Sequence, residues 1–254
     1  TPGPLARSVE DAALIFRAVN GPDPRDPQTL AWAAVDPLPT LRQGVAGLGL
    51  GVMPDAERAG VDTDVLAAYD AAVETLGKLG ARIVRPALPH RFSDYAAATG
   101  RIIGAEGYRV VGHLVDDESL PVDPHIRPRI QVGRGLSARD YLLALAERDE
   151  RRRVVAAALA DVDALLTPTT QTPAIPIDQA DQSGTAAHFT RAVNYLGLCA
   201  LAVPDGFTAG GLPLSLQIVC HAGEEAMALR IGWAYEQATD WKQRRPPEPS
   251  TATA

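Results

Sequence analysis

Apolar residues recur at two spacings along this chain, one helical and one extended, and their alternation outlines the elements. Near the beginning, Ala12, Leu14, Ile15, Phe16, Ala18 and Val19 predict a helix with a broad apolar face that must pack on a partner surface. Ser8 suits its N-cap, with its hydroxyl accepting the Asp11 amide, and Asn20-Gly21-Pro22 stops it. The proline-rich run at 21–27 then reads as an ordered loop. Val45-Ala46-Gly47-Leu48-Gly49-Leu50-Gly51-Val52-Met53 predicts a strand, and Val65, Leu66, Tyr69, Val73, Leu76 and Leu79 predict an amphipathic helix over 62–79. Ala81-Arg82-Ile83-Val84 reads as a second strand, so this stretch forms a βαβ unit with parallel pairing.

From 90 to 161 the pattern is mostly helical, broken over Pro121-Val122-Asp123-Pro124, and Ser137 caps a long helix through Tyr141, Leu142, Leu145, Val154, Val155 and Leu159. The strand Ala164-Leu165-Leu166 ends in Thr167-Pro168-Thr169-Thr170-Gln171-Thr172-Pro173. Hydroxyls at the end of a buried strand suit a binding crevice, and equally an ordinary strand-to-loop transition. After a helix over 185–196, strands at 200–203 and 214–219 flank Gly210-Gly211, which predicts an antiparallel, hairpin-like pair. The sheet is therefore mixed. A last helix over 223–239 packs Ala226, Leu229, Ile231, Trp233 and Ala234, and the tail from 248 to 254 is expected to be disordered.

Composition narrows the function classes. The chain has 254 residues, 46% hydrophobic and 22% charged, an ordinary globular balance with room for a sizeable core. A net charge of -7 argues against a nucleic-acid partner, and the cluster Arg148, Arg151, Arg152 and Arg153 is interleaved with Glu147, Asp149 and Glu150 as a self-paired helix face. No apolar run reaches the roughly 18 residues of a membrane span. Cys199 and Cys220 lie in apolar strand-like runs and read as core residues of a cytoplasmic protein, with a disulfide as the alternative.

Familiar catalytic signatures are missing. Gly47-x-Gly49-x-Gly51 departs from the dinucleotide-binding spacing and lies within a strand. The histidines at 90, 113, 125, 188 and 221 show no metal-ligand spacing, so no metal and no cofactor is expected. There is no G-x-S-x-G elbow.

Three longer motifs do occur in fixed order. They are Gly3-Pro4-Leu5-Ala6-Arg7-Ser8-Val9-Glu10-Asp11-Ala12-Ala13, followed by Gly21-Pro22-Asp23-Pro24-Arg25-Asp26; Asp161-Val162-Asp163-Ala164-Leu165-Leu166-Thr167-Pro168-Thr169; and Asn194-Tyr195-Leu196-Gly197-Leu198 through Val203-Pro204, Gly206-Phe207, Gly211-Leu212-Pro213 and Leu216-Gln217. Together they resemble the C-terminal half of the amidase signature family, over residues 3–247. The resemblance implies the C-terminal part of a mixed-sheet α/β/α fold, with 1–247 an incomplete portion of a single amidase domain. It also implies hydrolysis of carboxylic amides to acid and ammonia or amine, through a serine nucleophile, a second serine and a lysine base. Family members carry those three groups upstream of the stretch matched here.

The two lysines support that reading physically, because a general-base lysine must be held neutral within reach of a serine. Lys78 lies about 200° around its helix from Leu76, one turn after Glu74, an environment that keeps it charged. Lys242 sits beside Gln243, Arg244 and Arg245 near an expected frayed end. No residue here is therefore assigned a catalytic role. Thr169 and Asn194 are the substrate-binding candidates, one from its strand-end position and the other from the neighbouring helix end. The chain also departs from the family pattern at Cys199, Asp205 and Ser215, and Asp205 reads either as a turn residue bonding its own backbone or as a charge beside the crevice.

The expected partners are a small-molecule amide and the missing N-terminal half of the same fold, with a homodimer allowed and neither nucleic acid nor membrane. Two alternatives stay open: a non-catalytic binding or complementing module, and an A-type subunit of a tRNA-dependent amidotransferase. Thr1-Pro2-Gly3-Pro4 reads as the middle of a domain. An exposed apolar face or an unpaired sheet edge is accordingly expected near the helix capped by Ser8.

Overall fold

The structure is a computed structural model, and it describes residues 3–181 and 186–246. Eight α-helices and five strands are present among the described residues. The strands are β1 (Gly49–Val52), β2 (Arg82–Val84), β3 (Ala164–Pro168), β4 (Cys199–Phe207) and β5 (Pro213–Cys220), arranged β2-β1-β3-β5-β4. β1 runs parallel to β2 and β3, whereas β5 is antiparallel to both β3 and β4. This is the mixed sheet expected from the pattern. The carboxyl ends of β1, β2, β3 and β4 consequently share one rim.

Helix α1 (Val9–Val19) begins as its sequence dictates, with the Ser8 hydroxyl accepting the Asp11 N–H at 3.1 Å. α2 (Leu38–Leu41) follows, and both pack on α8 (Glu225–Gln237). α3 (Thr63–Lys78), capped by Asp62, makes the β1-to-β2 crossover. The middle of the chain supplies α4 (Asp94–Val115), α5 (Ile126–Gln131) and α6 (Ala138–Ala158), and α6 opens with a reciprocal capping box between Ser137 and Asp140. α7 (Thr190–Leu196) leads into β4. The helix expected from 185 has its first residue outside the described residues, as does the tail at 248–254.

Side-chain alternation sorts the helices into two layers. Leu201 and Val203 of β4 meet Gly232 of α8, where a Cβ would run into the Leu201 Cδ2. Leu165 and Val219 point the other way, onto Val155 of α6, Leu159 just after it, and Ala192 and Leu196 of α7. Leu50, Leu76, Leu166, Leu216, Ile218 and Ile231 are completely buried within this α/β/α arrangement. Full burial of one such side chain contributes about 1.5–3 kcal/mol.

Glycine positions explain two connections. Gly211 takes a φ of +82° in the β4–β5 hairpin, where the Thr208 N–H donates to the Leu212 carbonyl at 2.9 Å. Gly197 ends α7 in the left-handed region, at φ +68°. Gly49 and Gly51 serve packing, since a Cβ at either would come within 3.1 Å of Asp161 or Val162 respectively.

Burial on α1 differs from the broad face expected of it. Val9, Ala12 and Ala13 are buried, while Leu14, Ile15 and Val19 are exposed, because its helix neighbours α8 and α2 cover only part of its surface. Nearby, β4 forms a sheet edge nine residues long. On the α7 side of that strand, Ala200, Ala202 and Pro204 are exposed. Among the described residues, the region near α1 thus has both an exposed apolar face and an unpaired edge.

Candidate functional site

The rim at the carboxyl ends of β1 and β3 is held from beneath by one phenol. Tyr69 of α3 accepts the Met53 N–H at 2.9 Å and donates to the Leu166 carbonyl at 3.1 Å, bridging the two strand ends. Burial pushes its hydroxyl up to about 12, so it remains a donor. One step further along β3, the Thr167 hydroxyl accepts from Gln217 of β5 at 2.9 Å, inside the sheet.

Thr169 follows directly after β3, and its N–H donates to the Ser215 carbonyl at 2.9 Å. Its hydroxyl oxygen is shielded from solvent and has no hydrogen-bond partner among the described residues. A buried hydroxyl left unbonded costs about 1–3 kcal/mol, so a polar group brought to this rim would be stabilised by it. Asn194 has a different setting. It lies exposed in the last turn of α7, and that turn feeds the amino end of β4. The geometry does not bring the two candidates together.

A second polar group on the rim had no sequence signal. Glu57, in the short helical turn Asp55–Glu57 after β1, is 6% exposed, and its Oε2 lies 3.3 Å from Nε2 of His188. Arg91 stands 3.8 Å from the other carboxylate oxygen, and Phe92 and Phe189 wall the imidazole. A carboxylate and an imidazole in this arrangement can orient a donor or pass a proton. They are 131 residues apart in the chain, and neither has neighbours that would mark it.

Both lysines are committed to ion pairs. Lys78 meets Glu74 at 2.6 Å on the exposed side of α3, as its spacing predicts. Lys242 is not on a frayed end; it sits in the helical turn Trp241–Gln243 and reaches the buried Glu236 at 3.3 Å. The second oxygen of Glu236 accepts the Val9 N–H at 2.9 Å, tying α1 to α8. Among the described residues neither lysine is hydrogen-bonded to a serine, and Ser8 and Ser137 are engaged as helix caps. No cluster of three His, Cys, Asp or Glu side chains among them is placed to hold a metal ion, and no helix is long and apolar enough to cross a membrane.

The cysteines face each other across the β4–β5 ladder with both thiols free. Burial pushes the Cys199 thiol up to about 12, so it packs as a small apolar group. Asp205 is not in a turn. It lies within β4 at a register irregularity, 4% exposed, because the strand continues through Pro204 and Gly206 to Phe207.

Comparison with known proteins agrees with this architecture. The family model described as Amidase matches residues 1–229. Among curated proteins, the A-type subunit of glutamyl-tRNA(Gln) amidotransferase from Geobacter metallireducens is 33% identical, over 96% of this chain and 56% of its own length. Its counterpart from Roseiflexus castenholzii is also 33% identical, over 96% of this chain and 55% of its own. The chain therefore spans about half the length of the curated relatives it matches. Among solved structures, a vestigial protein complex bearing on the origins of an s-triazine catabolic enzyme superposes with a TM-score of 0.79 at 30% identity, covering 92% of this chain and 52% of that one. A bacterial aryl acylamidase shares the fold at a TM-score of 0.79 and 22% identity, covering 95% of this chain and 53% of that one. Motifs, mixed sheet and sequence match converge, and the chain belongs to the amidase signature family.

Proposed function

We propose that this chain is the C-terminal portion of an amidase that hydrolyses carboxylic amides to acid and ammonia or amine. In this reading the serine nucleophile, second serine and lysine base come from the portion of the family fold that the chain does not span. The described residues supply the outer helix layers, five strands and one wall of the substrate pocket, with Thr169 as the polar contact to the amide.

The observation that carries this reading is the free edge of β4. Between that edge and residues 4–9 runs a cleft of about 150 Å³, lined by Leu201, Val203, Tyr235 and Trp241. An extended segment laid there would continue the sheet along β4. The test is ammonia release from a panel of aliphatic and aromatic amides, by this chain alone and by this chain coexpressed with the N-terminal half of a relative. Activity should require both parts, and turnover by this chain alone would refute the assignment.

A second reading is favoured by the names of the curated relatives, which are A-type subunits of an amidotransferase. It predicts that activity appears only with partner subunits and charged tRNA.

A further inference from the structure

β4 contains one residue that its ladder does not pair. Pro204 lies opposite Ser215 and Gly206 opposite Leu214, so Asp205 is the extra residue of a bulge. Its side chain is 4% exposed, and its Oδ1 has neither solvent contact nor a hydrogen-bond partner among the described residues. A buried carboxyl normally has a cation or several donors beside it. Here its own backbone N–H is the donor beside it, and across the edge cleft the 4–9 segment brings only Arg7, which is exposed. α8 presents Tyr235, whose ionisation is opposed by burial and then by Asp205, and Glu236, which is held by Lys242 and the Val9 N–H. The turn at Trp241–Gln243 contributes that same Lys242, and Arg244 beyond it lies over the Phe207 ring at 5.6 Å. α3 brings Ala68 against Gly206, with Tyr69 already bonded to Met53 and Leu166. At this point β5 offers Leu214 and Ser215, neither of them titratable, while Arg191 and Tyr195 belong to α7 on the opposite face.

We propose that the Asp205 carboxyl is a protonation-controlled latch on the free edge of the sheet. Uncharged, it leaves the bulge seated beneath α8 and the 241–243 turn. On releasing its proton to solvent it becomes a carboxylate that cannot stay dry, and water entering beside it loosens the carboxyl end of β4. Burial raises the group to about 7, which puts the change near neutral pH. The inference concerns this chain by itself and stands whichever activity the assembled protein has.

The test uses the 254-residue chain. Carbon-13 NMR follows the aspartate carboxyls from pH 4 to 9, and hydrogen exchange, corrected for its intrinsic pH dependence, follows peptides covering β4, the 241–243 turn and β3. Asp205 should titrate with a midpoint near 7. Protection at the end of β4 should fall about tenfold across that midpoint while β3 is unchanged, and Asp205→Asn should abolish the step. A midpoint below 5, or an equal step in Asp205→Asn, overturns the latch. If the Asn variant does not fold, the wild-type chain decides: coincident carboxyl and exchange midpoints support the proposal, and separate midpoints overturn it.

Discussion

The two edges of the sheet are built on opposite plans. β2 is three residues long, carries Arg82 within it and Arg85 just after it, and runs at once toward Pro86 and Pro89. Shortness, charge and proline are the usual means of preventing an edge from pairing. β4 is nine residues long, and its exposed positions include Ala200 and Ala202, with no charge facing solvent. Its only ionisable side chains are Cys199 and Asp205, the first half-buried and the second buried. One edge terminates the sheet, while the other keeps the features of a strand that expects a neighbour. The difference marks β4 as the edge left open among the described residues.

The largest effect that would sharpen this contrast comes from Asp205→Asn. The acid has a raised pKa, about 7 when folded against 3.8 unfolded, so its stabilising contribution is complete below about 3.8 and is lost as pH rises through about 7. The Asn chain should therefore gain up to about 4 kcal/mol over wild type in urea unfolding at pH 8, and almost nothing at pH 3.5. Equal gains at the two pH values would show that packing, and not charge, makes this edge weak.

Next in size is a pair of core truncations, one near each edge. Leu50→Ala removes a fully buried side chain beside β2 and should cost about 3 kcal/mol. Leu201→Ala, half-buried on β4, should cost about 1 kcal/mol in this chain by itself. Similar losses would mean that β4 is as fully packed as the closed edge. Ser8→Ala should lower stability by about 1 kcal/mol by removing the cap of the helix that flanks the open cleft, measurable as a shift in the urea midpoint. Smallest of all, Ala202→Lys should leave stability within about 0.5 kcal/mol. The same substitution should suppress self-association in sedimentation velocity, because a charge on an open strand blocks pairing. Unchanged association would remove β4 as the sticky edge.

Local pattern and tertiary placement are unequally readable in the sequence. The helix predicted over 62–79 is α3, Thr63–Lys78, since Asp62 caps it and its apolar stripe has a clean helical period. The strand predicted over 200–203 is β4, which runs on to Phe207, because Pro204 and Gly206 look like strand breakers until the free edge and the bulge make room for them. That same extension moves Asp205 from an expected turn into a buried strand. The rim is legible only at Thr169, whose place after an apolar run marks a strand end. Glu57 and His188 meet through the sheet topology, and Asn194 lies apart from Thr169 because α7 runs back toward the other end of β4.

The phenol of Tyr69 has a mechanical consequence. By receiving from Met53 and donating to Leu166, it fixes the gap between the first and third strands with a rigid ring anchored in α3. That side of the rim behaves as a sill of constant width. At the other end of the rim, β4 turns at Phe207 into the hairpin that returns as β5, and among the described residues no such ring braces it to a neighbouring helix layer.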